Sequence, residues 1–66
     1  MNRKTLLKEG NKILASWASI GIFHDDNERM QQEAKIKSLA SLRDKLEQHE
    51  ISPRDYEVIL RQNQWL

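Results

Sequence analysis

The stretch that decides the fold is Ile51-Ser52-Pro53-Arg54-Asp55-Tyr56, which has the residue pattern of a helix start. Ser52 is suited to the N-cap, because its hydroxyl accepts a hydrogen bond from a backbone N–H that has no partner inside the helix. Pro53 fits the first helical position, since proline has no N–H to lose there and its φ is already helical. Asp55 favours the positive end of the helix dipole, and Ile51 with Tyr56 has the spacing of a hydrophobic staple. The stretch therefore predicts a corner between two helices.

Apolar side chains recur at helical spacing on both sides of this corner and predict three helices, over residues 2–22, 25–48 and 52–63. Asn2 and Asp25 are suited to the N-caps of the first two helices, and Asp25 with Glu28 has capping-box spacing. Only the second half of the second helix is apolar enough for a core, so its first half is expected to be exposed or paired with another chain. The expected apolar stripes are Leu6, Gly10, Ile13, Trp17 and Ile20 in the first helix and, on the core side, Ile36, Leu39, Leu42 and Leu46 in the second.

The two glycines carry separate expectations. Gly10 lies on the apolar stripe although glycine lowers helix stability, so we expect another helix to approach it closely. Gly21 is expected to end the first helix or to let Ile22 and Phe23 bend back onto the core.

The length of 66 residues allows a single helical domain, residues 1–66, and the expected fold class is all-α: a small three-helix bundle with a C-terminal helical hairpin. The chain has no cysteine, which excludes disulfides and cysteine-based zinc sites. Chains of this size are marginally stable alone, and self-association is a common source of further stability. The bundle is therefore expected to be oligomeric.

Residues 36–60 carry a leucine-rich helix, a short turn, and then an isoleucine and a serine followed after two residues by an acidic and an aromatic residue. This pattern resembles the short C-terminal domain (SHOCT) family, whose members are helical hairpins found mostly in bacterial proteins. The resemblance implies a hairpin appended for association, a bacterial source and no catalytic residues. The matching residues are Leu39, Leu42, Leu46, Ile51, Ser52, Asp55 and Tyr56, whereas His49 stands where the family typically has glycine and Leu60 where it typically has lysine.

Catalytic and metal chemistry have little support in the sequence. It has no thiol nucleophile, no Gly-x-Ser-x-Gly turn and no glycine-rich phosphate loop. His24, Asp25 and Asp26 are adjacent, but zinc needs about four ligands. No second histidine lies within a helical turn, so helix capping explains these residues better. We expect no enzyme activity, no catalytic residue, no metal and no cofactor.

The expected function is that of a non-catalytic protein-interaction or oligomerisation module, acting as a homo-oligomer or as a small adaptor or inhibitor of a larger protein. Tryptophan is frequent among the residues that dominate protein interfaces. Trp65 is expected either to fold back over the hairpin or to contact a partner. The expected partner-binding residues are Ile13, Trp17, Ile20, Met30 and Trp65.

A small DNA-binding regulator is the alternative. Lys4, Lys8 and Lys12 recur at intervals of one helical turn on the polar side of the first helix, and the third helix offers Arg54 and Arg61 to a groove. Against this, 11 lysines and arginines stand beside 10 acidic residues, so the net charge is only +1. No run of about 20 apolar residues is present to cross a membrane, and the expected location is cytoplasmic.

Overall fold

The computed structural model describes residues 2–66, and within them the chain forms three helices and no strand. The helices are α1 (Arg3–Ala18), α2 (Asp26–Glu47) and α3 (Pro53–Gln62). α1 packs mainly on α2, and α3 folds back to contact both. The prediction of a small all-α bundle is confirmed.

Each helix begins at the N-cap that the sequence predicts. A side-chain oxygen of the cap accepts a hydrogen bond from the backbone N–H three residues later, which pairs one of the N–H groups that a helix start leaves open. Glu28 adds a second bond, since its carboxylate accepts from the backbone N–H of His24 at 3.0 Å. The cap bonds are 2.8 Å from Thr5 to Asn2, 2.8 Å from Glu28 to Asp25, and 3.1 Å from Asp55 to Ser52.

The end of α1 differs from the prediction. The helix stops at Ala18 rather than at residue 22, and the backbone N–H of Ile20 closes a last tight turn onto the Trp17 carbonyl at 3.2 Å. Gly21 lies beyond this turn without a left-handed φ, so it does not end the helix. Phe23 is half-buried, but Ile22 is 90% exposed, and the expectation that Ile22 packs on the core is wrong.

α2 and α3 both end in a Schellman motif, in which a residue with left-handed φ turns the backbone back on the helix. The left-handed residues are His49, with φ 63°, and Gln64, with φ 59°. After α2, the N–H of Glu50 donates to the Lys45 carbonyl at 2.8 Å. After α3, the N–H of Trp65 donates to the Leu60 carbonyl at 2.9 Å. The second motif brings Trp65 back over the bundle.

His49→Gly is expected to raise the free energy of unfolding by about 1 kcal/mol, because a left-handed φ strains every residue that has a Cβ. The exposed contact between the Arg3 guanidinium and the His49 ring is lost in this variant, but such contacts contribute little. Urea denaturation of the two proteins measures the difference. Gln48→Gly is the control: Gln48 has φ −87°, so glycine there should give no gain. Equal changes in the two variants would contradict the strain argument.

The core consists of five fully buried side chains, contributed by all three helices. α1 supplies one of them, while α2 and α3 supply two each. Partly buried side chains from the flanking turns, among them Ile51 and Trp65, pack against this core. The staple predicted at the α2–α3 corner therefore joins the core. The five buried residues are Leu6, Leu39, Leu46, Tyr56 and Leu60.

Gly10 marks the closest approach of the three helices, as its place on the apolar stripe predicts. A Cβ at this position would overlap the Tyr56 hydroxyl of α3 and would lie 3.9 Å from Cγ of Arg43 in α2. The Tyr56 hydroxyl and the Arg43 Nε are buried without a hydrogen-bond partner in the described chain. Burial raises the pKa of the Tyr56 hydroxyl above its ordinary value of 10.0, and the charge of Arg43 offsets part of that rise.

Candidate protein-interaction site

The five expected partner-binding residues fall into two groups in the structure. Ile13, Trp17 and Trp65 are half-buried and pack against the core. Ile20 and Met30 are exposed, with 47% and 64% of their surfaces accessible. The first group therefore packs on the core with part of its surface, whereas Ile20 and Met30 expose larger fractions of their surfaces to solvent.

Trp17 and Trp65 form the centre of the first group. Their rings meet edge to face, with centroids 5.4 Å apart and an interplanar angle of 79°. This is a favoured arrangement for aromatic pairs. The Nζ of Lys35 lies 4.7 Å from the centroid of the Trp17 ring, and the Gln32 side chain donates to the Trp17 carbonyl at 3.2 Å. Of the two fates expected for Trp65, the structure shows the fold-back onto the bundle.

The second group lies at the α1–α2 corner, which we define as residues 20–30. Ile22, which the sequence did not single out as a binding residue, is the most exposed of the large apolar side chains in the described part of the chain. Outside the corner, Val58 on α3 and Leu66 are 44% and 39% exposed. The exposed apolar surface is thus concentrated at the junction between the first two helices.

The carboxylates of the corner are engaged within the same segment. Asp25 and Glu28 accept backbone N–H groups at the start of α2, at 2.8 and 3.0 Å. Asp26 lies 3.4 Å from the Arg29 guanidinium. Over residues 2–66, no group of three or more histidine, cysteine or acidic side chains is arranged to hold a metal ion. The acidic residues of the corner therefore build the start of α2.

The basic residues of the DNA-binding alternative lie on the outer faces of two helices. Lys4, Lys8 and Lys12 are exposed along the side of α1 opposite Leu6 and Gly10. On α3, Arg54 is exposed, whereas the Arg61 side chain lies 3.3 Å from the Glu57 carboxylate. Within the stripe, the Lys12 Nζ lies 4.0 Å from the Glu9 carboxylate, so part of the positive charge is already paired on both helices.

A shallow depression lies at the opposite end of the bundle, where the start of α1 meets the α2–α3 turn. Arg3, His49 and Pro53 line it, and the Arg3 guanidinium contacts the His49 ring. Its other lining residues, Glu50, Ile51 and Ser52, belong to the turn and to the α3 cap. The depression is open to solvent, and most of its lining residues also form the α2–α3 turn and the start of α3.

Comparison with known proteins gives no relative. No family model matches the chain, and no curated protein or solved structure shows a significant match. Among the described residues, no helix combines the length and apolar character needed to span a membrane.

Proposed function

We propose that the protein is a non-catalytic protein-interaction module, which self-associates or serves as a small adaptor or inhibitor of a larger protein. The observation that supports this proposal is the large accessible surface area of the chain. The chain exposes 4922 Å², about 500 Å² more than the roughly 4,400 Å² expected for a compact monomer of 7.8 kDa. Apolar side chains contribute to this surface, since Ile22 and Met30 are largely exposed.

The small core supports the same proposal. Five fully buried side chains are few for a 66-residue chain, and a domain of this size gains only about 3–5 kcal/mol from a single core. Binding of the folded state to another folded chain adds stability by mass action. The proposal includes the SHOCT-like hairpin over residues 36–60, a bacterial source and a cytoplasmic location.

The self-associating form is tested by light scattering and thermal unfolding across a dilution series. We expect the mass to fall and the midpoint of unfolding to drop on dilution, because dissociation removes the stabilising partner. A tenfold dilution of a dimer costs about 1.4 kcal/mol of apparent stability. A strictly monomeric species at high concentration, with a midpoint independent of concentration, would remove this form of the proposal.

DNA binding is the second candidate, and the exposed stripe of Lys4, Lys8 and Lys12 on α1 is the observation that favours it. Binding to duplex DNA should weaken steeply with salt, because each neutralised phosphate releases counterions. Replacing Lys8 by alanine should lower the salt slope by about 1. Absence of binding at low ionic strength would remove this candidate.

A further inference from the structure

We infer that the surface around the Trp17 ring is a binding site for a tryptophan side chain of a partner protein. Residues 63–66, which we call the strap, place the Trp65 ring in this site and compete with the partner for it. The inference deepens the adaptor form of the proposed function and rests on it. It adds the site, the chemical class of the ligand and the segment that regulates access.

The ligand class follows from the ring that the site already holds. Trp65 is half-buried, and its indole meets the Trp17 indole edge to face, with centroids 5.4 Å apart and an interplanar angle of 79°. Aromatic pairs prefer this arrangement. The same contact becomes available to an indole from another protein once Trp65 has left.

The helices α1 and α2 build the site without the strap. Trp17 lies one residue before the end of α1, and its carbonyl accepts a hydrogen bond from the Gln32 side chain of α2 at 3.2 Å. The Nζ of Lys35, also on α2, lies 4.7 Å from the centroid of the Trp17 ring. The five fully buried side chains of the core all belong to the helices. Opening of the strap therefore leaves both the site and the core in place.

Lys35 determines the charge that the ligand carries. A cation is attracted to the face of an indole ring, and the Lys35 ammonium already takes this place at Trp17. A lysine or arginine side chain of a partner is therefore repelled from the site. An uncharged aromatic ring avoids the repulsion, and tryptophan brings a large apolar area to the contact.

The second half of the strap is held by few interactions. Trp65 donates one backbone hydrogen bond, to the Leu60 carbonyl at 2.9 Å. Gln64 adopts a left-handed φ of 59°, which strains a residue that has a Cβ. Asn63, Gln64 and Leu66 are exposed. Segments with few buried contacts open at a smaller free energy than the whole fold, so we expect the strap to open while the helices stay formed.

The experiment titrates isotope-labelled protein with unlabelled N-acetyl-tryptophanamide and follows the Trp17 indole N–H by NMR. Trp65→Gly empties the site and leaves Trp17 as the only tryptophan, so its signal is unambiguous. We expect a saturable shift in this variant, with an affinity at least about tenfold higher than that of the unaltered chain, because a closed strap reduces the fraction of open sites. Leu66→Gly is the matched control: it truncates the exposed neighbour and keeps the Trp65 ring, so it should bind as weakly as the unaltered chain.

Hydrogen exchange tests the strap without a ligand. In the unaltered chain, the backbone N–H of Trp65 should exchange with solvent at least about tenfold faster than the N–H groups in the middle of α2. Gln64→Gly should slow the exchange of Trp65 about fivefold, because glycine adopts the left-handed φ of the closed strap without strain.

Each outcome decides one statement. If the Trp17 signal of Trp65→Gly shows no saturable shift, or if the unaltered chain binds equally well, the competing strap is overturned. Loss of the helices in Trp65→Gly, seen by far-UV circular dichroism, or exchange of Trp65 no faster than the middle of α2, would show that Trp65 belongs to the core. Equal shifts with N-acetyl-lysinamide would overturn the aromatic ligand. None of these results alters the dilution series, so failure of the site is distinguishable from failure of the interaction module.

Discussion

Leu39→Ala should lower the free energy of unfolding by about 2–5 kcal/mol, the loss typical of truncating a fully buried leucine. Leu39 is fully buried in the middle of α2, within the core cluster that all three helices build. The substitution removes three carbon atoms and leaves a cavity that the surrounding side chains fill only in part. A chain of 66 residues has a total stability of about 3–10 kcal/mol, so a large share of the molecules should unfold.

Urea denaturation followed by circular dichroism measures this loss. Leu66→Ala is the matched control, because it makes the same chemical change at a residue that is 39% exposed; its effect should stay within about 0.5 kcal/mol. Equal losses in the free energy of unfolding for Leu39→Ala and Leu66→Ala would show that the five buried side chains do not dominate the stability of the fold.

Gly10→Ala should destabilise the protein by about 1–3 kcal/mol, because the added methyl overlaps the buried Tyr56 hydroxyl. In an open helix the same change would be stabilising by about 1 kcal/mol, since alanine is the better helix former. Here the overlap outweighs the propensity, because Tyr56 is fully buried and has little room to move.

Tyr56→Phe should reverse the sign of the Gly10 substitution. It removes the hydroxyl that the new methyl would strike, and the next ring atom, Cζ, lies 3.7 Å away, at an ordinary contact distance. Alone, Tyr56→Phe should be neutral or stabilising by about 1 kcal/mol, because the lost hydroxyl is buried without a partner. A double-mutant cycle measured by urea denaturation should give a coupling of about 2–3 kcal/mol between the two positions. Additive effects would show that the three helices do not meet at Gly10.

A comparison of Tyr56→Phe with the unaltered protein also measures how Tyr56 makes the free energy of unfolding depend on pH. Burial raises the pKa of Tyr56 above 10.0 in the folded protein, so the folded chain holds the phenolic proton more tightly than the unfolded chain. The resulting stability is fully present below about pH 10 and is lost as the pH rises through the raised pKa. Tyr56 is the only tyrosine, so the advantage of Tyr56→Phe over the unaltered protein should grow above that pH.

The starts of the helices could be predicted from the sequence because they depend on local chemistry. Asn2, Asp25 and Ser52 each cap the backbone three residues ahead, and no distant part of the chain is needed for that bond. The ends of α2 and α3 agree with the predicted bounds to within one residue, but the left-handed residues that follow them could not be predicted from local chemistry. His49 and Gln64 adopt a left-handed φ that sequence patterns associate with glycine, and the packing of the next residues on the bundle selects it.

The candidate interaction site was predictable in part. Ile20 and Met30 were expected to contact a partner, and both are exposed, although their binding role stays a prediction. Trp17 and Trp65 stand far apart in the sequence, and only the packed bundle shows that each covers the other. Helical spacing did not identify Ile22, because this residue lies in a linker. There the direction of a side chain follows from the path of the backbone rather than from a helical repeat.

The edge-to-face pair of Trp17 and Trp65 also has an optical consequence. The chain has 2 tryptophans, and both belong to this one contact, so all of the indole fluorescence reports on the place where the turn after α3 rests on α1. A variant that shifts the emission spectrum without altering the helical circular dichroism has changed the surroundings of this tryptophan pair while the helices stay formed. The protein thus carries an intrinsic fluorescent probe for one tertiary contact, and no dye or label is needed to follow it.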